Sequence, residues 1–413
     1  MLVTLLLASS LTVLAGAIIA PALPTMAEHF HDTPGVDLLV RLVLTMPALF
    51  IVVGAPLAGW IADFRGRRGL LIGSVLAYAV TGTAGAFLPS VGAILVSRGL
   101  LGLAVAGVMT AVTALLADYY GGADRARVMG FQAAFMGLGG LVFTGLGGLL
   151  AGVDWRGPFL VYLLALGVLP LTIRTLWEPL KEKDSPPERN VGSQPGPQLG
   201  TGRWDSTDFP WRVVAPVYGV AFIMQMAFYT IPVQFPFHLA AVTGGGPELA
   251  GLAIGTTSLF FSLASLASAR LNEGVGYGTV IGRGFLVGAV GFAGVGLAAS
   301  PLTMFPSLAV AGIGIGLVLP AMMVWLTTAV APRLRGRALG GLTTAVFLGQ
   351  FVSPLASQPF LVRVGSEGVY LGVAGLLVLV ALLLTLLVNG RRRIRRKNSP
   401  SSFASPPSGS SAP

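Results

Sequence analysis

The sequence predicts an all-α integral membrane protein with twelve transmembrane helices arranged as two six-helix pseudo-repeats. Three observations carry that prediction. The 413-residue chain is 54% hydrophobic and 10% charged, with a mean hydropathy of +0.81, which is more apolar surface than a soluble globule of this size can bury. Basic residues gather in every second connection between the apolar runs, so the same bilayer face is marked along the whole chain. A shift of 210 residues brings the halves into register. Arg125-Ala-Arg127-Val-Met-Gly130 then falls on Arg335-Gly-Arg337-Ala-Leu-Gly340, and Asp63 and Gly66 fall on Glu273 and Gly276.

Met1 leads directly into an apolar run with no basic segment ahead of it, so a cleaved signal peptide is not expected; Pro21-Ala-Leu-Pro24 closes this first span. Residues 37–61, 69–88, 91–117, 129–151 and 156–176 are each long enough to cross a ~30 Å hydrocarbon core. They complete an N-terminal half, 1–176. Residues 177–210 change character, with Lys181, Glu182, Lys183, Asp184 and a Gly/Pro/Gln-rich stretch, and read as a flexible cytoplasmic linker. Six more spans follow at 211–239, 247–270, 278–299, 302–329, 338–362 and 368–389, forming a second half, 211–389. The tail, 390–413, is a basic run followed by a Ser/Pro-rich segment and reads as disordered. Arginine and lysine crowd the loops after spans 2, 4, 6, 8 and 10 and the tail, whereas the opposite loops offer little beyond Arg41, Arg156 and Arg363. Both termini are therefore expected in the cytoplasm, in a multi-pass protein of the cytoplasmic membrane.

Composition also excludes several classes of function. The formal charge of +10 follows topology rather than one amphipathic face, so no nucleic-acid partner is expected. Without cysteine, and with three histidines in no ligand-like spacing, the chain offers no metal or cofactor site and no catalytic constellation. It does not read as an enzyme. The expected partners are the lipid bilayer, a small-molecule substrate and, if transport is ion-coupled, protons; a monomer is expected.

The most informative stretch is residues 59–68, Gly-Trp-Ile-Ala-Asp-Phe-Arg-Gly-Arg-Arg. Gly59 has no side chain to keep a neighbouring helix away, Gly66 allows a tight reversal, and the arginines fix one face of the membrane. Asp63, four positions before Arg67, pairs locally or reaches a neighbouring helix; the alternative is a solvated loop that only sets orientation. Gly59, Asp63, Gly66, Arg67 and Arg68 stand in the order G-x-x-x-D-x-x-G-R-R, and the chain resembles the major facilitator superfamily. Pro21 to Pro24 is similar to its twelve-helix, drug/proton antiporter-like efflux branch. The resemblance implies the major facilitator fold and an Asp63, Arg67 and Asp118 cluster that latches the cytoplasmic side of the outward-facing state.

Arg98 lies inside the fourth span, where a charge costs at least ~2.5–3.5 kcal/mol. It is expected to face a central cavity, in coupling or substrate binding; the alternative is an arginine that snorkels to the nearer face. The resemblance places Arg98 at the family's R-x-x-x-G arginine, followed by Gly102, and links it to proton coupling. In the fifth span Gly139, Gly147 and Gly148 match the antiporter pattern, but Phe143-Thr144 stands where Gly-Pro is expected; Pro354 occupies the shifted position in span 11. These positions also read as close helix packing. Tyr218, Phe222, Gln225 and Tyr229 share one helix face, as do Thr343, Phe347, Gln350 and Pro354. Such faces either line a cavity for an amphipathic molecule or hold helices together. No Asp or Glu lies deep within a span.

The sequence thus points to a secondary transporter that moves a small organic molecule by alternating access, with efflux favoured and proton coupling left open. The alternatives are an uptake carrier for a small organic anion with Arg98 as countercharge, and a non-transporting membrane sensor or scaffold.

Overall fold

The computed structural model describes residues 1–178, 209–271 and 276–397, and its regular structure there is entirely helical. The chain opens with α1 (Leu2–Ala17), a 3-10 turn at Ala20–Ala22 and α2 (Leu23–His29). Pro21 and Pro24 therefore do not end the first span, contrary to the sequence reading. Each sits in the first turn of a new helical segment, where a missing N–H costs nothing, and the apolar path runs on to His29. The second helix, α3 (Val36–Arg65), stops at Gly66, whose φ of 84° is open to glycine, and α4 (Arg67–Ala84) starts at once. Ser90 caps α5 (Val91–Tyr119) by accepting the Ala93 N–H at 3.3 Å. α6 (Gly122–Val153) follows. The sixth span is not one helix but α7 (Gly157–Leu160), a 3-10 turn at Val161–Leu163 and α8 (Leu164–Thr175).

Beyond the linker come α9 (Trp211–Thr243), α10 (Pro247–Leu271), α11 (Tyr277–Leu297), α12 (Pro301–Ala329) and α13 (Arg335–Lys397). Ten stretches of the described residues are long and apolar enough to cross a membrane. α4 is not among them, its 18 residues including Arg67 and Arg68. The last stretch, Pro332–Leu386, has 55 residues. At ~1.5 Å per residue it is far longer than a ~30 Å core. Gly365, with φ of 71°, breaks it.

The helices run alternately between two ends. One, the linker end, holds Arg65–Arg68, Asp118, Glu178, Trp211 and Arg335. The other, the far end, holds His29, Ser90, Asp154, Gly244, Ser300 and Gly365. α3 and α4 pack on α5, α9 on α13, and α11 on both α12 and α13, while α6 packs on α10 and α3 on α13 to join residues 1–178 to 209–397. Small residues allow these approaches: a Cβ on Gly284 would come 2.8 Å from the Gly314 carbonyl, and one on Gly102 2.9 Å from the Pro47 Cα.

Four sequence expectations change. Arg41, read as a loop charge, lies on the second turn of α3 and is 2% exposed. Trp177 and Glu178, assigned to the linker, are bonded to the helix ends beside them. The basic run from Arg391, assigned to a disordered tail, continues α13 as helix to Lys397. Gly59 makes no close approach, since a Cβ there would meet nothing within 4 Å. Glu273, the repeat partner of Asp63, lies outside the described residues, as do 179–208 and 398–413.

Candidate functional site

At the linker end the reversal at Gly66 turns the N-terminus of α4 toward the end of α8. Arg67 forms an ion pair with Asp118 on the last turn of α5, with side chains 37% and 24% exposed. The carboxylate of Glu178 accepts the backbone N–H of Arg67 at 2.7 Å and of Arg68 at 2.8 Å, satisfying two otherwise orphaned donors at a positive helix terminus. Arg68 Nη2 donates to the Ile173 carbonyl at 2.7 Å, and the Tyr119 hydroxyl donates to the Trp177 carbonyl at 2.5 Å. Asp63 lies exposed on the last turn of α3. Arg67, Arg68, Asp118 and Glu178 thus bind helices α4, α5 and α8 to one another. Glu178→Ala should speed hydrogen exchange at the Arg67 and Arg68 amides roughly fivefold, the size of a lost helix cap, while Asp118→Asn leaves those amides protected; equal effects would show that Glu178 is no cap.

Arg98 is fully buried, and the structure corrects its placement. It does not face a cavity shared with α9 and α13. Its Nη2 donates to the Thr81 carbonyl at 3.0 Å and the Gly82 carbonyl at 2.5 Å on α4, and its guanidinium lies 5.0 Å from the ring centroids of both Phe159 and Tyr162. Tyr162 in turn donates to the Ala15 carbonyl at 3.0 Å, and Tyr78, 5.5 Å from it, donates to the Leu11 carbonyl at 2.7 Å. The sixth span breaks where its rings must lie over the arginine. A planar cation between aromatic faces and helix carbonyls suits arginine, and it joins α1, α4, α5 and α7 without a carboxylate.

The far end carries a polar network that crosses between the two groups of helices. Arg41 Nε on α3 donates to Gln234 Oε1 on α9 at 2.9 Å, Nη1 donates to the Asp37 carbonyl at 2.5 Å, and Asp37 Oδ1 is 3.5 Å away. The guanidinium stacks 3.9 Å above the Phe237 ring. Gln234 Nε2 donates to Ser357 Oγ on α13 at 2.9 Å, and Ser357 donates to the Ser353 carbonyl at 2.8 Å. One turn beyond Gln234, buried His238 meets Ser366 Oγ at 2.8 Å and the Val295 carbonyl at 3.3 Å. A buried charge is costly unless hydrogen-bonded, and Arg41 meets that condition by joining helices far apart in sequence.

Cross-group packing continues inward. A Cβ on Gly148 of α6 would come 2.6 Å from the Pro247 carbonyl and 3.1 Å from the Gly251 Cα of α10, and one on Gly140 would come 3.3 Å from Ser258. Gly147 instead presses on the Ile18 carbonyl, and a Cβ on Gly139 would come 3.3 Å from Phe143 and 3.5 Å from Ser10. At mid-bundle, Tyr229 Oη and Gln350 Nε2 lie 3.0 and 3.9 Å from the Cβ position of Gly16 on α1, so α1, α9 and α13 meet there. Gln225 lies half-buried one turn toward the linker end, Pro354 is buried one turn beyond Gln350, and Gln132 Nε2 donates to Ser9 Oγ at 3.0 Å. This seam contains phenol, amide and hydroxyl groups among apolar neighbours. It could hold a small amphipathic molecule without a fixed countercharge.

The family model for the Major Facilitator Superfamily matches residues 5–245 and again 217–410. The chain belongs to the major facilitator superfamily. It is 27% identical over 345 residues to the class G tetracycline resistance protein of Vibrio anguillarum, covering 82% of this chain and 84% of that one. It is 28% identical over 208 residues to multidrug resistance protein 1 of Bacillus subtilis (strain 168), covering 50% of this chain and 49% of that one. Among solved structures, a bacterial homolog of the human lysosomal transporter Spinster, inward-facing and unoccupied, superposes with a TM-score of 0.74 at 18% identity, over 97% of this chain and 98% of that one. The fold is therefore the major facilitator fold and the family is one of transporters.

Several groups in this major facilitator transporter escaped the sequence reading. Arg41 was visible only as a charge near a helix start, and Gln234 as one amide in an apolar run. Glu178 looked like linker. Its signal was present in the following proline, since an acidic residue just past a helix end beside a basic turn is well placed to bond free N–H groups.

Proposed function

We propose that this membrane transporter exports a small amphipathic organic molecule by alternating access, with twelve spans divided into rocking halves at 1–176 and 211–389. The observation that carries the reading is the Arg41–Gln234–Ser357 network, a charged closure between the two groups of helices at the far end. In this reading the linker end and both termini are cytoplasmic and the far end is the outer gate, closed here. The seam around Gln225, Tyr229 and Gln350 holds the substrate, and the Arg67–Asp118 cluster stiffens the cytoplasmic end of the N-terminal half.

The relatives named for tetracycline and multidrug resistance support efflux of drug-like molecules, with protons as the proposed counter-ion. The enclosed Arg98 does not favour an anion carrier, because its guanidinium is fully buried, with Nη2 on the Thr81 and Gly82 carbonyls and the Phe159 and Tyr162 rings beside it. Purified protein in liposomes should move a fluorescent amphipathic dye against its gradient when an inward-directed proton gradient is imposed. It should equilibrate the dye when the gradient is collapsed. Dye movement indifferent to the gradient would remove proton coupling, and none from either face would remove the transport reading for this substrate class.

A further inference from the structure

A groove runs along the outer surface of the bundle between α3, α4 and α5, with a volume of about 450 Å³. Gly69, Gly73 and Ala77 form its floor, Leu57 and Leu100 its rims, and Arg65 stands at its linker-end mouth. All six are exposed, and in the twelve-span reading proposed above, which counts α4 as a span, the floor and rims border lipid. The groove is open space rather than tight packing: a Cβ on Gly69 or Gly73 would meet nothing within 4 Å. Two helix-interior glycines that admit no neighbouring helix each sacrifice helix stability relative to alanine, and what they leave is a channel bordering lipid. From Gly69 to Thr81 the floor extends about 18 Å at the helical rise. That is close to the ~15 Å depth of one leaflet's hydrocarbon.

The mouth carries the charge information. Arg67 is paired with Asp118 and Arg68 donates to the Ile173 carbonyl, but among the described residues Arg65 has no ion pair or hydrogen bond. Beside it, Trp60 and Phe64 project outward, 63% and 76% exposed, with ring centroids 5.4 Å apart. Exposed aromatics of this kind sit at headgroup level, so Arg65 lies where a lipid phosphate lies. Of the nearby acids, Asp118 is engaged with Arg67, Glu178 is held by backbone amides, and Asp63 lies on the same final turn of α3.

We propose that this groove binds one anionic phospholipid of the linker-end leaflet, with an acyl chain along Gly69, Gly73 and Ala77 and its phosphate on Arg65. The site rests on the membrane setting and not on the direction or coupling of transport.

The test uses the full chain in bilayers of phosphatidylethanolamine and phosphatidylglycerol, followed by extraction and native mass spectrometry of retained lipid. The parent should retain phosphatidylglycerol beyond its share of the bilayer. Arg65→Gln should lower that retention roughly fivefold, the factor expected of one basic residue at a membrane surface. Gly73→Leu, which fills the groove without meeting protein, should lower it as much, whereas Gly167→Leu on α8, also in open space, should not. Retention of both lipids in bilayer proportion would overturn the proposal. So would loss in Arg65→Gln with none in Gly73→Leu, because the arginine would then act without the groove.

Discussion

Arg41→Met should open the far end of this transporter and reduce transport more than tenfold while leaving the protein folded in the membrane. The substitution keeps most of the side-chain volume but removes the donor to Gln234 Oε1 and the charge over Phe237. Leaving the buried Gln234 amide oxygen without its donor costs about 1–3 kcal/mol, assigned here mainly to the closed form. A value of about 2 kcal/mol within that range is roughly a thirtyfold change in the closed-to-open ratio. The chain has no cysteine, so a single Thr45→Cys, on α3 one turn below Arg41 and fully buried, reports opening directly. Its reaction with an impermeant maleimide from the far-end side should accelerate about thirtyfold when Arg41→Met is added. An unchanged labelling rate would show that Arg41 is no part of the closure.

Arg98→Gln should act on folding rather than on coupling. The guanidinium fills a site between Phe159, Tyr162 and the carbonyls of Thr81 and Gly82, and the shorter amide leaves part of that space empty. Loss of a charge-assisted hydrogen bond and of packing volume together should lower stability by about 2–4 kcal/mol. The measurable result is a lower thermal midpoint and a lower folded yield, with flux per folded molecule retaining the parent's response to a pH gradient. Arg98→Lys should recover little, since an ammonium cannot bridge two carbonyls while stacking on two rings. A variant as stable as the parent that has lost its response to the gradient would return Arg98 to a coupling role.

The difference between these two arginines shows where sequence reading stops. A charge inside an apolar span signals burial and a partner, and Arg98 was legible to that extent. Its partners were not, because Phe159 and Tyr162 come from a span whose helix breaks locally to present them. Arg41 was misread altogether, since hydropathy cannot separate a loop charge from one held a turn inside a helix. Its bond to Gln234 spans 193 positions, and that of Arg67 to Glu178 spans 111.

The sequence by itself determined the membrane setting, the all-helical class, the reversal at Gly66 and the family, because each follows from local hydropathy, glycine conformation or a short contiguous motif. Only the tertiary structure decided which charges face one another and which glycines are crowded, as Gly148 is, or open, as Gly73 is. The reason is physical. Within lipid, apolar faces look alike to neighbouring helices, so pairing is set by close packing and by the few polar groups that must find a partner, and both depend on which helices meet.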